Sequence, residues 1–315
     1  MAAKKVHKDL TDSTLDWLEE SFPGFVRREE PLRNRTTFRC GACAKGVVSP
    51  PDAEVLSRVV AELTKRGVEW QVLGRGSNLL VRDGGYRGVL VDLSEGFMKI
   101  ALQGRTDDQV FVRAEAGVPN GLLLSWLRDR RIRGFGFSFG IPGSIGGGIR
   151  MNAGTPLGWF GRVVREVETV RKTGEPIRLR VTEADFAYRD FPKGRDLVIT
   201  AGLFLFYPSE PDRVESEIDA AKKQRTQQPL ELPNFGSVFK NPGRDFAGHL
   251  IEQAGLKGRR IGDAQISPKH ANFIVNLGNA TTRDALKLME QAQAEVSKKF
   301  GVELEPEVHV IGVDA

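Results

Sequence analysis

Between Gly134 and Gly154 the chain reads GFGFSFGIPGSIGGGIRMNAG, and eight of these twenty-one residues are glycine. No other stretch limits the fold so strongly. Glycine lacks a Cβ, so a run of it lets backbone N–H groups turn toward one point and lets a ligand approach the main chain within hydrogen-bonding distance. The natural guest of such a concavity is an anion, usually a phosphate or pyrophosphate. Ile141, Ile145, Ile149 and Met151 interleave the glycines, where a solvated linker would carry Ser or charged residues, so the segment is expected to be packed. A shorter string, Gly74-Arg75-Gly76-Ser77-Asn78, follows the apolar run Trp70-Gln71-Val72-Leu73 and reads as a strand ending in an anion-binding turn. Two separated glycine turns suggest a ligand gripped from two sides, such as a dinucleotide.

The standard phosphate motifs do not account for these strings. A P-loop needs Gly, four residues, then Gly-Lys-Ser/Thr, which occurs nowhere in the chain. The dinucleotide fingerprint Gly-x-Gly-x-x-Gly needs a helix opening at its third glycine. Pro142 and the triplet Gly146-Gly147-Gly148 are expected to discourage a helix there, and no acidic residue follows about 20 positions on in the required frame.

The length of 315 residues suits two or three domains. A net charge of +5 is modest, and acidic and basic residues alternate without a like-charged block. That pattern favours small anionic ligands over nucleic acid. No stretch approaches the roughly 20 apolar residues of a membrane span, and the N-terminal string MAAKKVHKDL lacks an apolar signal core. The expected compartment is the cytoplasm, with no membrane and no nucleic-acid partner. Cys40 and Cys43 form a C-x-x-C, but no further Cys exists, and His7, His249, His270 and His309 show no zinc-like spacing. No metal site is expected, and the sequence after Cys43 continues as turn and strand instead of the helix that a thioredoxin-type motif requires.

Apolar spacing predicts helices over 12–20, 52–65, 119–130, 214–224, 247–254 and 283–300. It predicts a strand-turn-strand over 36–48 and strands over 69–73, 89–93, 97–102, 110–114, 164–170 and 198–206. The expected division is residues 20–80, 81–210 and 211–315. Three polar strings could carry chemistry: Tyr188-Arg189-Asp190, Gly236-Ser237-Val238-Phe239-Lys240-Asn241-Pro242, and Leu304-Glu305-Pro306-Glu307-Val308. Each has an ordinary structural reading as a turn or a solvated face. No G-x-S-x-G elbow surrounds Ser237, but a serine hydrogen-bonded to a lysine can donate a proton.

Taken in order, GRGSNLL, GIPGSIGGGIRMNAG, YRD, GSVFKNP, AGLKGRRIGDAQISPKHANFIVN and LEPEVHVIG resemble the UDP-N-acetylenolpyruvoylglucosamine reductase (MurB) family, in its shorter type II branch. The resemblance runs from about Asn34 to Gly312. It implies an α+β chain with an FAD-binding fold of the vanillyl-alcohol-oxidase (PCMH) type in two subdomains and a C-terminal α+β substrate domain. It implies noncovalent FAD, NADPH as hydride donor, UDP-N-acetylglucosamine enolpyruvate as substrate, and a monomer working in peptidoglycan precursor synthesis. Carried over by position, FAD would lie against Gly74, Arg75, Gly76, Ser77, Asn78, Ile141, Pro142, Gly143, Ser144, Gly146, Gly147, Gly148 and Asn152. Arg189 and Glu307 match residues that stabilise the enolate-like state, and Ser237 matches the proton donor. Lys240, Asn241 and His270 would hold substrate.

The sequence departs from the family in two places. Only Asp190 to Asp196 separate Arg189 from the apolar run that opens at Leu197, so the insertion that carries a substrate-clamping tyrosine in the longer branch is absent. Phe191 stands where a small hydroxyl residue is usual. Two other readings stay open: a related FAD oxidase acting on an alcohol or sugar, though no histidine falls in either glycine loop to anchor a flavin covalently, and a non-catalytic flavin- or nucleotide-sugar-binding protein, which the joint presence of Arg189, Ser237 and Glu307 disfavours.

Overall fold

The structure, a computed structural model, describes residues 2–243 and 245–315, with side chains from Thr11 onward. The side chains of the N-terminal string, His7 among them, therefore lie outside what is described. The chain divides into two compact units, neither of them continuous in sequence. The first comprises residues 1–27, 46–75 and 88–226, and the second 28–45, 76–87 and 227–315. The chain passes between them inside the short glycine turn, so Gly74 and Arg75 belong to the first unit and Gly76, Ser77 and Asn78 to the second.

In the first unit the helix Ala53–Lys65 begins at Asp52, whose carboxylate accepts the N–H groups of Glu54 and Val55 at 3.0 and 2.9 Å. Such a cap supplies acceptors for first-turn donors that have no partner inside the helix. Leu56, Val59, Val60 and Leu63 face Leu15 and Leu18 of the helix Ala2–Ser21 and the strand residues Val89 and Val91. Trp70–Leu73 pairs in parallel with Val89–Asp92. The larger sheet is antiparallel in the order 176–180, 164–171, 197–208, 110–115, 100–105. Its core is aromatic: Phe135 meets Phe137, Phe160, Phe204 and Phe206 edge to face, with centroids 5.2 to 6.3 Å apart. Edge-to-face contact sets the positive rim of one ring against the negative face of the next.

In the second unit the strand Leu79–Val81 pairs in parallel with His309–Ile311, joining segments more than two hundred residues apart. The helix Thr282–Phe300 starts on a Thr281/Asp284 capping box and ends at Gly301 with φ +66°. Its stripe of Ala285, Leu288, Met289, Ala292 and Val296 packs on Phe38, Leu80, Phe235 and Phe239.

Three local expectations are revised and one strand is added. Residues 36–42 form no strand, because Arg39 (φ +61°) and Gly41 (φ +97°) break the extended backbone; only Cys43–Val48 is a strand. Val26–Pro31 is a strand that apolar spacing could not reveal, since VRREEP is largely charged and exposed. The strand expected over 97–102 begins at Ile100 and runs to Arg105. Ile145–Arg150 is a short helix in spite of its three glycines. Ile145 and Ile149, one turn apart, are fully buried in the aromatic core, and burial of two isoleucines, about 1.5–3 kcal/mol each, offsets a glycine penalty of about 1 kcal/mol per residue. Among the described residues no helix is long and apolar enough to cross a membrane.

Candidate active site

The glycines of the long segment have separate reasons. A Cβ on Gly148 would lie 2.2 Å from Cζ of Phe160, and one on Gly146 would lie 2.9 Å from Cβ of Ala116. These two glycines let the helix sit on the core. Gly147, by contrast, is exposed, and its Cβ would meet only Ser144 Oγ at 3.9 Å. Packing does not demand glycine there, so the position fits a ligand lying against the backbone. The donor inventory is narrower than a full nest. The N–H of Ile145 goes to Val118 O, that of Gly146 to Ala116 O, that of Gly148 to Ser144 O and that of Ile141 to Ser138 O. Among the described residues, the N–H groups of Gly143, Ser144 and Gly147 have no backbone acceptor, and Gly143 has φ +108°. Gly74 is exposed, and a Cβ there would come within 3.4 Å of Ser144 Oγ, so in the first unit the two turns face each other across that hydroxyl. This cradle fits a dinucleotide cofactor. Asn152 is different: its amide donates to Ala187 O and accepts from Gly161 N–H, both at 2.9 Å.

Arg189 stands at the third position of the turn Ala187–Asp190, closed by N–H···O bonds in both directions at 3.0 and 3.2 Å. Its φ of +58° is left-handed, a conformation that costs on the order of 1–3 kcal/mol for a non-glycine residue and concentrates at functional sites. The guanidinium donates to Gly154 O at 3.3 Å and stacks over Tyr188 with its carbon 5.1 Å from the ring centre. Arg225, at the end of the helix Pro211–Gln224, donates to Gly140 O at 2.6 Å. Burial, with the charge of Arg189 adding to it, pushes Arg225 down to about 10. This electropositive corner was not read from the sequence. Phe191 is fully buried and stacked on Phe186 at 4.5 Å, so it serves packing.

The second unit gathers the other polar strings. Phe239 bridges Pro306 in antiparallel register, with Glu307 N–H donating to Val238 O at 2.8 Å and Lys240 N–H to Glu305 O at 2.9 Å. That register sets the Ser237 segment alongside Glu307. The short glycine turn joins them: Asn78 Nδ2 donates to Glu307 O at 3.0 Å, and Gly236 lies against Ser77 O. Gly76 (φ +60°) admits no side chain, because a Cβ would sit 2.1 Å from Arg35 O. The Lys240 ammonium pairs with the Glu305 carboxylate. The Asn241 side chain caps the helix Ala247–Gln253 by accepting Ala247 N–H at 3.1 Å. His270 lies against Gly248. Its Nδ1 accepts Asn272 N–H at 3.2 Å, and burial holds its pKa below the usual value.

Two asparagines that the sequence did not single out hold the serine segment. Asn234 accepts Gly236 N–H at 2.9 Å. Asn272, buried, accepts Phe239 N–H at 2.9 Å and donates to Phe239 O at 2.8 Å, while its own carbonyl takes Val238 N–H. An asparagine set between apolar residues, as in His-Ala-Asn-Phe-Ile, is the signal that could have found it, since a buried amide must spend both its atoms. Cys40 and Cys43 are both free thiols. Cys40 is buried with its thiol 2.9 Å from Thr282 Oγ1, and burial pushes its pKa up to about 11, away from the reactive thiolate.

Comparison with known proteins shows the family and the fold. Residues 44–180 match the family model of an FAD binding domain, and residues 228–311 match that of the UDP-N-acetylenolpyruvoylglucosamine reductase C-terminal domain. The reductase numbered 2 of Symbiobacterium thermophilum is 41% identical over 292 residues, 92% of this chain and 93% of its own. That of Syntrophus aciditrophicus is 39% identical over 302 residues, covering 94% and 95%. The crystal structure of the Thermus caldophilus reductase aligns with TM-score 0.78 and 31% identity, over 91% of this chain and 99% of that one. The fold extends to p-cresol methylhydroxylase, with TM-score 0.50 at 15% identity over 95% of this chain and 66% of that one. The α+β architecture is therefore the PCMH-type FAD-binding fold followed by a reductase C-terminal domain, and the chain belongs to the UDP-N-acetylenolpyruvoylglucosamine reductase family.

Proposed function

We propose that Arg189, Ser237 and Glu307 carry the chemistry of this reductase at its substrate, and that Gly74–Asn78 and Ile141–Gly148 seat its cofactor. The protein is an FAD-dependent oxidoreductase that reduces UDP-N-acetylglucosamine enolpyruvate to UDP-N-acetylmuramate with NADPH, in peptidoglycan precursor synthesis. FAD held by these backbone turns would supply the hydride-transfer chemistry between NADPH and the C3 methylene of the enolpyruvyl group. Negative charge then develops over C2 and the carboxylate, where the Arg189 guanidinium offsets it. Ser237 Oγ–H donates the proton to C2. A serine hydroxyl is a weak acid, so Lys240, three residues on in the chain and paired with Glu305, or the substrate itself, must lower the barrier to that transfer. Glu307, hydrogen-bonded through its N–H beside Ser237, is the second residue assigned to stabilising that charge.

Lys240 and Asn241 hold the substrate, and His270 offers it the Nε2 edge, its Nδ1 being spent on Asn272. Residues 20–80 and 81–210 supply the two cofactor subdomains, and 211–315 the substrate domain. The enzyme works as a cytoplasmic monomer on free nucleotide substrates, with neither membrane nor nucleic acid as partner. The observation that carries this reading is the register pairing Val238 with Glu307, which brings two sequence-distant polar strings into one place.

Stopped-flow absorbance of the flavin tests it. Ser237→Ala should leave reduction by NADPH near the wild-type rate and slow reoxidation by the enolpyruvyl substrate by roughly 10²–10⁴-fold, the usual worth of a positioned general acid. Unchanged reoxidation, or an equal fall in both half-reactions with flavin bound, would show that Ser237 is a turn residue.

A further inference from the structure

The tail of the glycine helix holds the arginine turn at three points. Asn152 Nδ2 donates to the carbonyl of Ala187, where the turn opens, at 2.9 Å. Arg150 Nη1 donates to the carbonyl of Phe191, just past its close, at 2.7 Å, and approaches the Asp190 carboxylate at 3.5 Å. The carbonyl of Gly154 accepts from the Arg189 guanidinium itself. Residues 150–154 thus grip the turn before, behind and at its functional tip. Below it, Phe191 is locked by its stack on Phe186.

Asn152 is 7% exposed and has φ +41°. Glycine takes that left-handed conformation freely and other residues do not, with asparagine the most tolerant of them. A side chain at such a position is accounted for by what its amide does. Here the amide nitrogen reaches the Arg189 turn and the amide oxygen receives Gly161 N–H, so both ends of the amide are engaged with protein.

We propose that Asn152 is a positioning residue for Arg189: its amide, with Arg150, fixes the turn that aims the guanidinium, so the glycine helix seats the cofactor on one face and orients the substrate-side cation at its end. The inference rests on the reading of Arg189 as that cation. Misplacing a reacting group by about 1 Å can cost on the order of 10²-fold in rate, which sets the size of the effect.

Two variants of the FAD-loaded enzyme separate the roles of the side chain. Asn152→Asp keeps the acceptor for Gly161 N–H and sets an oxygen against the Ala187 carbonyl. Asn152→Gly keeps the left-handed backbone and removes both bonds. Both should retain flavin and reduce it with NADPH within about twofold of wild type, while reoxidation by substrate slows roughly 10–100-fold. Trypsin should cut after Arg189 faster in both, a readout that needs no turnover. Arg189→Lys is measured beside them, and adding Asn152→Asp to it should slow reoxidation by less than about twofold further, since one residue acts through the other. If Arg189→Lys leaves reoxidation unchanged, the reading of Arg189 falls and the inference with it. If Arg189→Lys slows reoxidation and the Asn152 variants do not, the inference alone is overturned. Loss of flavin from both Asn152 variants also overturns it and assigns the amide to the cofactor loop.

Discussion

Asn272→Ala removes the acceptor of Phe239 N–H and the donor to Phe239 O, bonds of 2.9 and 2.8 Å to a residue that is 1% exposed. Water cannot reach the two groups left behind. An unsatisfied buried polar group costs about 1–3 kcal/mol, so the pair should cost about 2–6 kcal/mol. That is a large share of the roughly 5–15 kcal/mol that separates a folded domain from its unfolded state. The backbone bond from Val238 N–H to Asn272 O survives the change, so the segment should loosen without detaching. Ser237 lies one residue before Val238 and should lose its aim. Urea unfolding followed by circular dichroism would measure the stability, and stopped flow the two half-reactions. The expected result is a fall in stability in that range together with slowed reoxidation by substrate and near-normal reduction by NADPH. A variant within about 0.5 kcal/mol of wild type, or one with unchanged reoxidation, would refute the claim that Asn272 braces the serine segment.

Gly147→Val should fold normally but fail to retain FAD, because the new Cβ meets no protein atom closer than 3.9 Å yet stands where the cofactor must approach; Gly148→Ala should instead lower stability by about 1–3 kcal/mol through overpacking against Phe160. Retention of flavin by Gly147→Val would count against the cradle. A Cys40→Ser, Cys43→Ser double variant should keep most NADPH-dependent activity, and at pH 8 Cys40 should resist alkylation, since burial pushes its pKa up to about 11; complete loss of turnover with flavin bound would contradict this. For His270, burial lowers the folded-state pKa below the ordinary value of about 6.5. The unfolded chain then binds the proton first, so this contribution is fully present above about pH 6.5 and is lost as pH falls toward the folded pKa. Unfolding curves measured downward from pH 7 should show this loss, and His270→Gln should flatten it; an unchanged slope would place the acid sensitivity elsewhere.

The sequence by itself determined what is local. Helices 53–65 and 282–300 were legible because apolar periodicity, an acceptor side chain at one end and glycine near the other all act within a few residues. The glycine strings announced a backbone-lined cradle, and the six motifs in family order announced the reductase. What only the tertiary structure decided is whatever depends on a distant partner. The strand 26–31 has no apolar signature, because none of its residues is buried. The helix 145–150 forms against glycine's preference because Ile145 and Ile149 find a core built by strands and helices elsewhere. The Ser237 segment meets Glu307 through the hydrogen bond from Glu307 N–H to Val238 O, some seventy residues of chain away, and Asn78 reaches the same place from farther still. Asn152 carries the same lesson. Its sequence neighbours place it with the glycines, but its amide is claimed by Ala187, thirty-five residues on. An amide can satisfy a backbone group at any separation, so composition and spacing can name such a residue but not its partner.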